Sequence, residues 1–506
     1  MENRYDVIVV GAGNGGLAAA ANTAKAGLKT LVLEKHNIPG GSATSFRRGR
    51  FEFEASLHEL SNVGNEKDPD FVYKIFENVG AKINWCYEPD PYRAIVKGQL
   101  DARVRGGVQG YIDSIEEAVP GSRESVTKFL DLFKCINEAM EYMNSKNGKY
   151  NPLVMYLKYG DFIRVSSHTL TEVLDALNVP KKAQTIIAGY WGYLGVPADE
   201  VNCMFFLMML MGYLEHGGAG MPHDRSIEMS LALSDVIHKN GGKIFYNAEV
   251  TEFLFDDNGR VCGVAVGDEK YYAKEVISNV IPHNVFNRSK IDKIPKSDLK
   301  LANAREISTS IFTIYIGLDC TAEELGIEDY SVFVMKDGDP RVQYEKRIDG
   351  GYYIVNCLNK VIPDCTPEGT CILFFSALMF GDDMPKDLKP EEYKKYKNDL
   401  AKKFIKDYEE LTGMEITKHI EEISVATPVT FARYLGTPNG AIYAYRISKW
   451  DSIVYRIAFE EQEQKMKGLT FSGGHSAMGF GFSCTYMTGE NTGLKVVKKL
   501  TEGGKN

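Results

Sequence analysis

Between Asp6 and Glu34 the chain reads DVIVVGAGNGGLAAAANTAKAGLKTLVLE, a run that leaves a polypeptide little choice of local fold. Asp6 to Val10 reads as a buried strand. Gly11, Gly13 and Gly16 follow at GxGxxG spacing. Those glycines permit a tight strand-to-helix turn, close approach of a pyrophosphate to bare backbone, and close packing of the helix on the sheet. Phosphates would then sit on the helix N-terminus, where unpaired N–H groups and the macrodipole favour negative charge. Ala18 to Ala26 continue as an alanine-rich helix that Gly27 can cap in the left-handed conformation, and Leu28 to Leu33 form a second strand ending at Glu34. A carboxylate eighteen residues after Gly16 can accept hydrogen bonds from both ribose hydroxyls of an adenosine and would repel a 2′-phosphate. A glycine turn alone is a common packing device, but strand, glycines, helix, second strand and terminal acid in this order point to a bound dinucleotide.

The 506 residues suffice for about two to four domains or subdomains. The net charge is −9, with acids and bases interspersed, which excludes the basic footprint of a nucleic-acid binder. Nine cysteines are scattered without a CxxC pair, so no metal centre or dithiol redox pair is expected, and they read as buried thiols of a reducing cytoplasm. No basic segment and apolar h-region precede the first strand, so no signal peptide is expected. The most apolar run, CMFFLMMLMGYL at 203–214, falls short of the roughly 18 residues that span a bilayer. It reads as a buried core helix, with a greasy or interfacial entrance for a lipid-like molecule as the functional alternative. A cytoplasmic chain is expected, with peripheral membrane contact and oligomeric state left open.

Helical, apolar-periodic stretches are expected to dominate from about Pro69 to Leu214. An amphipathic helix follows at 226–238, then a strand, a hairpin at Asp257-Asn258-Gly259, and another strand into Val276 to Val280. Strands resume over 307–380, and 388–413 reads as a charged, solvent-facing helix. The first strand–helix–strand unit lacks sheet partners in its own neighbourhood. A discontinuous nucleotide domain is therefore expected from residues 1–90, 217–300 and 422–506, with 91–216 and 301–421 forming the substrate domain.

Four further segments carry a resemblance. Glu34 with Pro39-Gly40-Gly41-Ser42 is similar to an acid followed by a GG turn, and Phe53 to His58 to an F-D-x-G-x-H element. GGKIFYNAEVTEF is similar to a strand carrying adenine contacts through the backbone of Val250. Ala426-Thr427-Pro428 through Tyr443 is similar to ATPxTFxRY…GxPxGAxY, and Phe471 to Gly489 to a C-terminal glycine element. Together they resemble the phytoene desaturase, carotenoid isomerase and retinol saturase group of the flavin amine oxidase superfamily. The resemblance implies an α/β fold, a Rossmann-like domain of amine-oxidase type with a discontinuous α+β substrate domain, and a tightly bound FAD. Glu54, Ser56 and Gly474 depart from the group's aspartate, glycine and aspartate.

The FAD contacts so implied are Gly11, Gly13, Gly16, Glu34, Gly41, Ser42, Val250, Gly473, Gly481 and Phe482. A helix starting near Phe482 would turn its N–H groups toward the flavin N1–C2=O edge, where negative charge develops on reduction. The expected function is an FAD-dependent oxidoreductase that saturates, desaturates or isomerises carbon–carbon double bonds of a long apolar polyene or isoprenoid. An unsaturated fatty-acid isomerase or reductase, an amine oxidase, and a flavoprotein that carries lipid without turnover are the alternatives. His58 is the candidate acid or base. Glu59 ranks lower because neighbouring strand positions face opposite sides. His475 reads as a loop residue, Tyr443 and Tyr445 as strand packing, and Arg47 and Arg48 as exposed loop residues.

Overall fold

In the computed structural model residues 3–502 are described, apart from 89, 147–149, 449, 458–464 and 477–478, and for Asn144 the backbone alone. The strand Arg4–Val10 pairs in parallel with Thr30–Leu33 on one side and with Glu269–Ser278 on the other. Lys243–Phe245 extends the sheet beyond Thr30–Leu33, and Leu469–Phe471 adds in parallel to Glu269–Ser278. Glu252–Phe255 and Val261–Val266 complete it as an antiparallel meander. Three distant stretches of chain thus build one seven-stranded sheet. Val7 to Val10 are buried on both faces, which is why the strand reads as an unbroken apolar run rather than an alternation.

The helix Asn14–Lys25 lies on this sheet and against the C-terminal helix Phe482–Glu502. Ala18 to Ala21 are wholly buried. A Cβ added at Gly489 would fall 2.5 Å from the Gly15 carbonyl oxygen, and one at Gly493 would fall 2.8 Å from that of Ala19. The two helices therefore pack backbone to backbone, and this sets where both N-termini emerge.

A second seven-stranded sheet runs in the order Ile420–Ala426, Ser310–Leu318, Cys371–Met379, Tyr352–Cys357, Ser331–Met335, Tyr92–Val96, Leu100–Val104. Alternate residues divide its two faces. Phe312, Leu373 and Phe375 pack with Phe404 and Tyr408 of the helix Pro390–Thr412, whereas Ile311, Ile354 and Leu378 face a cavity on the other side. The charged helix is therefore the sheet's outer cover. The expected helical stretch from Pro69 to Leu214 holds Trp85–Glu88, Tyr92–Val96 and Leu100–Val104 as strands. Tyr92–Val96 pairs with Ser331–Met335, a partner more than 200 residues away whose pairing local periodicity does not encode. Ile420–Ala426 lies in the second sheet, so the expected boundary at 422 falls inside a strand. Among the described residues no helix is long and apolar enough to cross a membrane.

Candidate active site

A cavity of about 450 Å³ opens between the two sheets, and its dinucleotide end is made mostly of backbone. Gly11 (φ +92°) turns the chain out of the first strand. Gly13, Asn14 and Gly15 then present the start of a helix with no side-chain cap. Its first N–H groups have no intrahelical acceptor and converge on one spot. The glycines are required sterically: a Cβ at Gly13 would meet Asn279 Nδ2 at 2.5 Å, and one at Gly15 would meet the Gly473 nitrogen at 2.8 Å. Gly41 (φ +62°) and Ser42 continue this floor.

Glu34 is buried beside it. Its Oε2 accepts from the Ala12 N–H at 2.7 Å and its Oε1 from the His36 N–H at 2.8 Å. Each oxygen keeps a lone pair for a further donor. Val250 is buried and lines the cavity between two strands, and no backbone partner for its N–H or carbonyl occurs among the described residues. Asn279, which the sequence did not single out, wedges its amide among Gly13, Gly15 and Gly473. Its position directly after the strand Glu269–Ser278, at a sheet's carboxyl edge, is the signal that could have found it.

Beside the glycine floor runs the C-terminal helix, where Asn14 Nδ2 donates to Thr485 Oγ1 at 3.4 Å. Gly481 (φ +90°) has open space where a Cβ would project. The helix begins at Phe482, and Gly481 through Thr485 line the cavity. Bare backbone, two helix N-termini and a buried carboxylate fit the phosphates and ribose of a dinucleotide of the flavin type. His475 also lines the cavity, against Phe471 at 5.4 Å. Its Nε2 lacks a partner among the described residues, and burial holds its pKa down at about 3.

The chamber beyond is apolar, with Met204, Phe205, Met208, Tyr443 and Phe480 in its wall. The apolar helix Cys203–Leu214 is thus both core and lining, and Tyr443 stacks on Phe480 at 4.3 Å. Here the chain leaves its strand at Glu54. The buried Glu54 carboxyl accepts from the N–H groups of Ser56, Leu57 and Ser226 and from the Ser226 hydroxyl. This clamp shapes the irregular turn that carries His58. His58 Nδ1 lies 2.7 Å from Asn356 Oδ1, and Asn356 Nδ2 donates to Ser331 Oγ at 3.1 Å. With Asn356 Oδ1 turned to the ring, Nδ1 is the nitrogen that donates to it, which leaves Nε2 as a lone-pair acceptor without a partner among the described residues. Phe374 packs on the ring at 4.7 Å, and burial lowers its pKa to about 4. His58 is neutral at physiological pH.

Glu59 requires a correction. Residues 55–60 are not a strand, so the alternation that ranked Glu59 below His58 does not apply, and both residues line the same cavity. Tyr193 Oη lies 2.8 Å from Glu59 Oε1. Burial, more than any neighbouring charge, raises the Glu59 pKa to about 8. Of the residues singled out from sequence, Gly11, Gly13, Glu34, Gly41, Ser42, His58, Val250, Gly481 and Phe482 line this one cavity. Gly16 and Gly473 stand behind it as packing positions, since a Cβ at Gly16 would lie 2.0 Å from the Gly11 carbonyl oxygen. Arg47 pairs with Glu52 at the surface, Arg48 lies over Phe46, and Tyr445 is core packing beside His283.

The NAD(P)-binding Rossmann-like domain family matches residues 9–72, the segment holding the glycine floor and Glu34. Over 482 residues the chain is 24% identical to an all-trans-retinol 13,14-reductase of Danio rerio, covering 87% of this chain and 77% of that protein. Over 458 residues it is 25% identical to a chloroplastic prolycopene isomerase of Arabidopsis thaliana, covering 87% and 74%. The chain is a distant relative of these two enzyme types. A putrescine oxidase structure superimposes with TM-score 0.66 at 14% identity, covering 98% of this chain and 99% of that one. That likeness establishes the fold alone.

Proposed function

We propose that this chain is an FAD-dependent oxidoreductase acting on carbon–carbon double bonds of a long, apolar polyene, with saturation of the kind named in its reductase relatives as the first reading. The observation that carries it is the continuity of one cavity from a dinucleotide floor to an apolar chamber that holds the His58 imidazole against Asn356. Gly11, Gly13, Gly41, Ser42 and the N-terminus of Asn14–Lys25 would hold the pyrophosphate, Glu34 the ribose, and the peptide groups of Val250 the adenine. Gly481 and Phe482 would face the isoalloxazine, with Gly16 and Gly473 supporting from behind. When bound, the flavin supplies two-electron chemistry at carbon.

The protein's own task is then to exclude water and hold the carbon skeleton, which the methionine and aromatic wall does. His58 Nε2 offers a fixed hydrogen-bond acceptor to it. A fatty-acid substrate would need a cation for its carboxylate. Among the described residues lining the cavity the basic ones are Lys35 and Arg288, both at the dinucleotide end beside Glu34 and Glu249. This favours an uncharged polyene. The discontinuous division into residues 1–90, 217–300 and 422–506 and residues 91–216 and 301–421 is supported by the two sheets, with the strand Ile420–Ala426 belonging to the second. Exposed Leu153, Tyr156 and Leu157 give the helix Pro152–Lys158 an apolar surface for peripheral contact with a lipid phase.

Purified protein is expected to be yellow, with about one flavin per chain. After anaerobic photoreduction, mixing with retinoids, carotenoids or unsaturated fatty acids identifies the substrate class by which compound reoxidises it. Colourless protein that takes up no added FAD overturns the proposal.

A further inference from the structure

Glu59 sits in a cluster of phenols. Tyr193 is 2.8 Å from its Oε1, while its Oε2 is buried with no hydrogen-bond partner among the described residues. The Tyr190 ring lies 5.3 Å from that of Tyr193 and stacks on Tyr213 at 4.6 Å. No cation pairs with Glu59 among the described residues, and a lone carboxylate is strongly disfavoured in such surroundings. The carboxyl therefore stays protonated near neutral pH. In the resting pair Tyr193 donates to Oε1; a protonated Glu59 can instead donate its own O–H to the phenolic oxygen, which releases the phenolic O–H. Tyr193 is half-buried and lines the cavity, its ring 5.3 Å from that of His58. His58 is held neutral with its ring proton on Nδ1, directed at Asn356 Oδ1, so Nε2 has none to give. Two adjacent groups with proton affinities pushed apart is the pattern that separates acid from base.

We propose that Tyr193, backed by Glu59, is the proton donor to the carbon skeleton in the cavity, and that His58 is a positioning acceptor. The assignment rests on the double-bond reading above. In saturation, one carbon gains a hydride equivalent from the reduced flavin and the other gains the proton of Tyr193. The Tyr193 O–H bond breaks as the new C–H bond forms, and the Glu59 proton passes to the phenolic oxygen. Solvent then reprotonates Glu59. Besides its chain neighbour His58, the titratable groups facing Glu59 from neighbouring elements are Tyr92, Tyr190, Tyr193, Tyr213, Tyr330, Tyr352 and Glu88. The phenols stay neutral, because burial raises the pKa of each of these tyrosines well above its ordinary value.

The test uses flavin-loaded wild type, E59Q and Y193F. Without substrate, infrared difference spectra of wild type against E59Q are expected to show the carbonyl stretch of a protonated carboxylic acid near pH 7 that fades as pH rises through about 8. With chemically reduced protein and all-trans-retinol, Y193F is expected to lose about 100-fold or more in rate. E59Q should lose about tenfold and lack the fall in rate that wild type shows at alkaline pH, and both variants should retain flavin. In deuterated water one deuteron should enter the saturated bond from solvent. An ionised Glu59 near pH 7, or a Y193F rate within threefold of wild type, overturns the assignment alone. A wild type that reduces no polyene overturns the double-bond reading and the assignment together.

Discussion

The two ends of the cavity are built by different means. At the dinucleotide end the contacts are peptide groups, and the residues that matter are those whose side chains are missing. At the chamber end the contacts are side chains brought from remote strands and helices, with Asn356 fixing His58 across 298 positions and Tyr193 meeting Glu59 across 134. A backbone site is sensitive to added volume. A side-chain site is sensitive to the loss of single atoms. The first is expected to fail by losing its ligand, and the second by losing rate with its ligand in place.

The largest effect should come from filling the floor. In Gly15→Val the new Cβ meets the Gly473 nitrogen and Asn279 Oδ1, both under 3.0 Å, so flavin retention should fall at least about 100-fold, with a cost in folding of roughly 1–3 kcal/mol. Absorbance of the purified variant checks it, and full flavin content would break the contrast between the two ends. Next is Glu34→Ala, which leaves the Ala12 and His36 N–H groups without their acceptor. A loss of about 1–3 kcal/mol in urea unfolding is expected, together with weaker flavin binding.

At the other end, Asn356→Leu should free the His58 ring and lower turnover about 10-fold to 100-fold while the flavin spectrum stays unchanged, if positioning acts here as it does around metal-bound histidines. Loss of the flavin instead would show the ends to be coupled.

The smallest effect is on stability against pH. His58 has a folded pKa of about 4 against 6.5, so its contribution is complete above 6.5 and is lost as pH falls toward 4. Glu59 has a folded pKa of about 8 against 4.5, so its contribution is complete below 4.5 and is lost as pH rises toward 8. The two slopes oppose each other between 4.5 and 6.5, leaving a net decline from 6.5 to 8. Urea unfolding of E59Q across that range should show a shallower decline, with Glu88, also raised to about 8 by burial, sustaining the remainder.

Much of the dinucleotide end was legible in the sequence, because GxGxxG, the alanine run and Glu34 occupy consecutive positions and each imposes a local geometry. The start of the last helix at Phe482 was legible for the same reason, since Gly479 and Gly481 mark where the chain must turn. The strand Tyr92–Val96 was not, because its pairing with Ser331–Met335 is distant in sequence. Nor was the standing of Glu59: strand alternation put it on the side opposite His58, whereas the strand ends at Glu54 and an irregular turn brings both to one cavity. Tyr193 and Asn356 carry no local mark of function.

By itself the sequence determined a parallel sheet opened by a glycine floor, a buried acid at the end of its second strand and a fold split along the chain, because chain geometry and glycine sterics act over neighbouring residues. The tertiary structure alone decided which side chains share the chamber and which of them hold protons. Desolvation and hydrogen-bond orientation depend on what surrounds a group in space, and at His58 and Glu59 those surroundings come from strands and helices far along the chain.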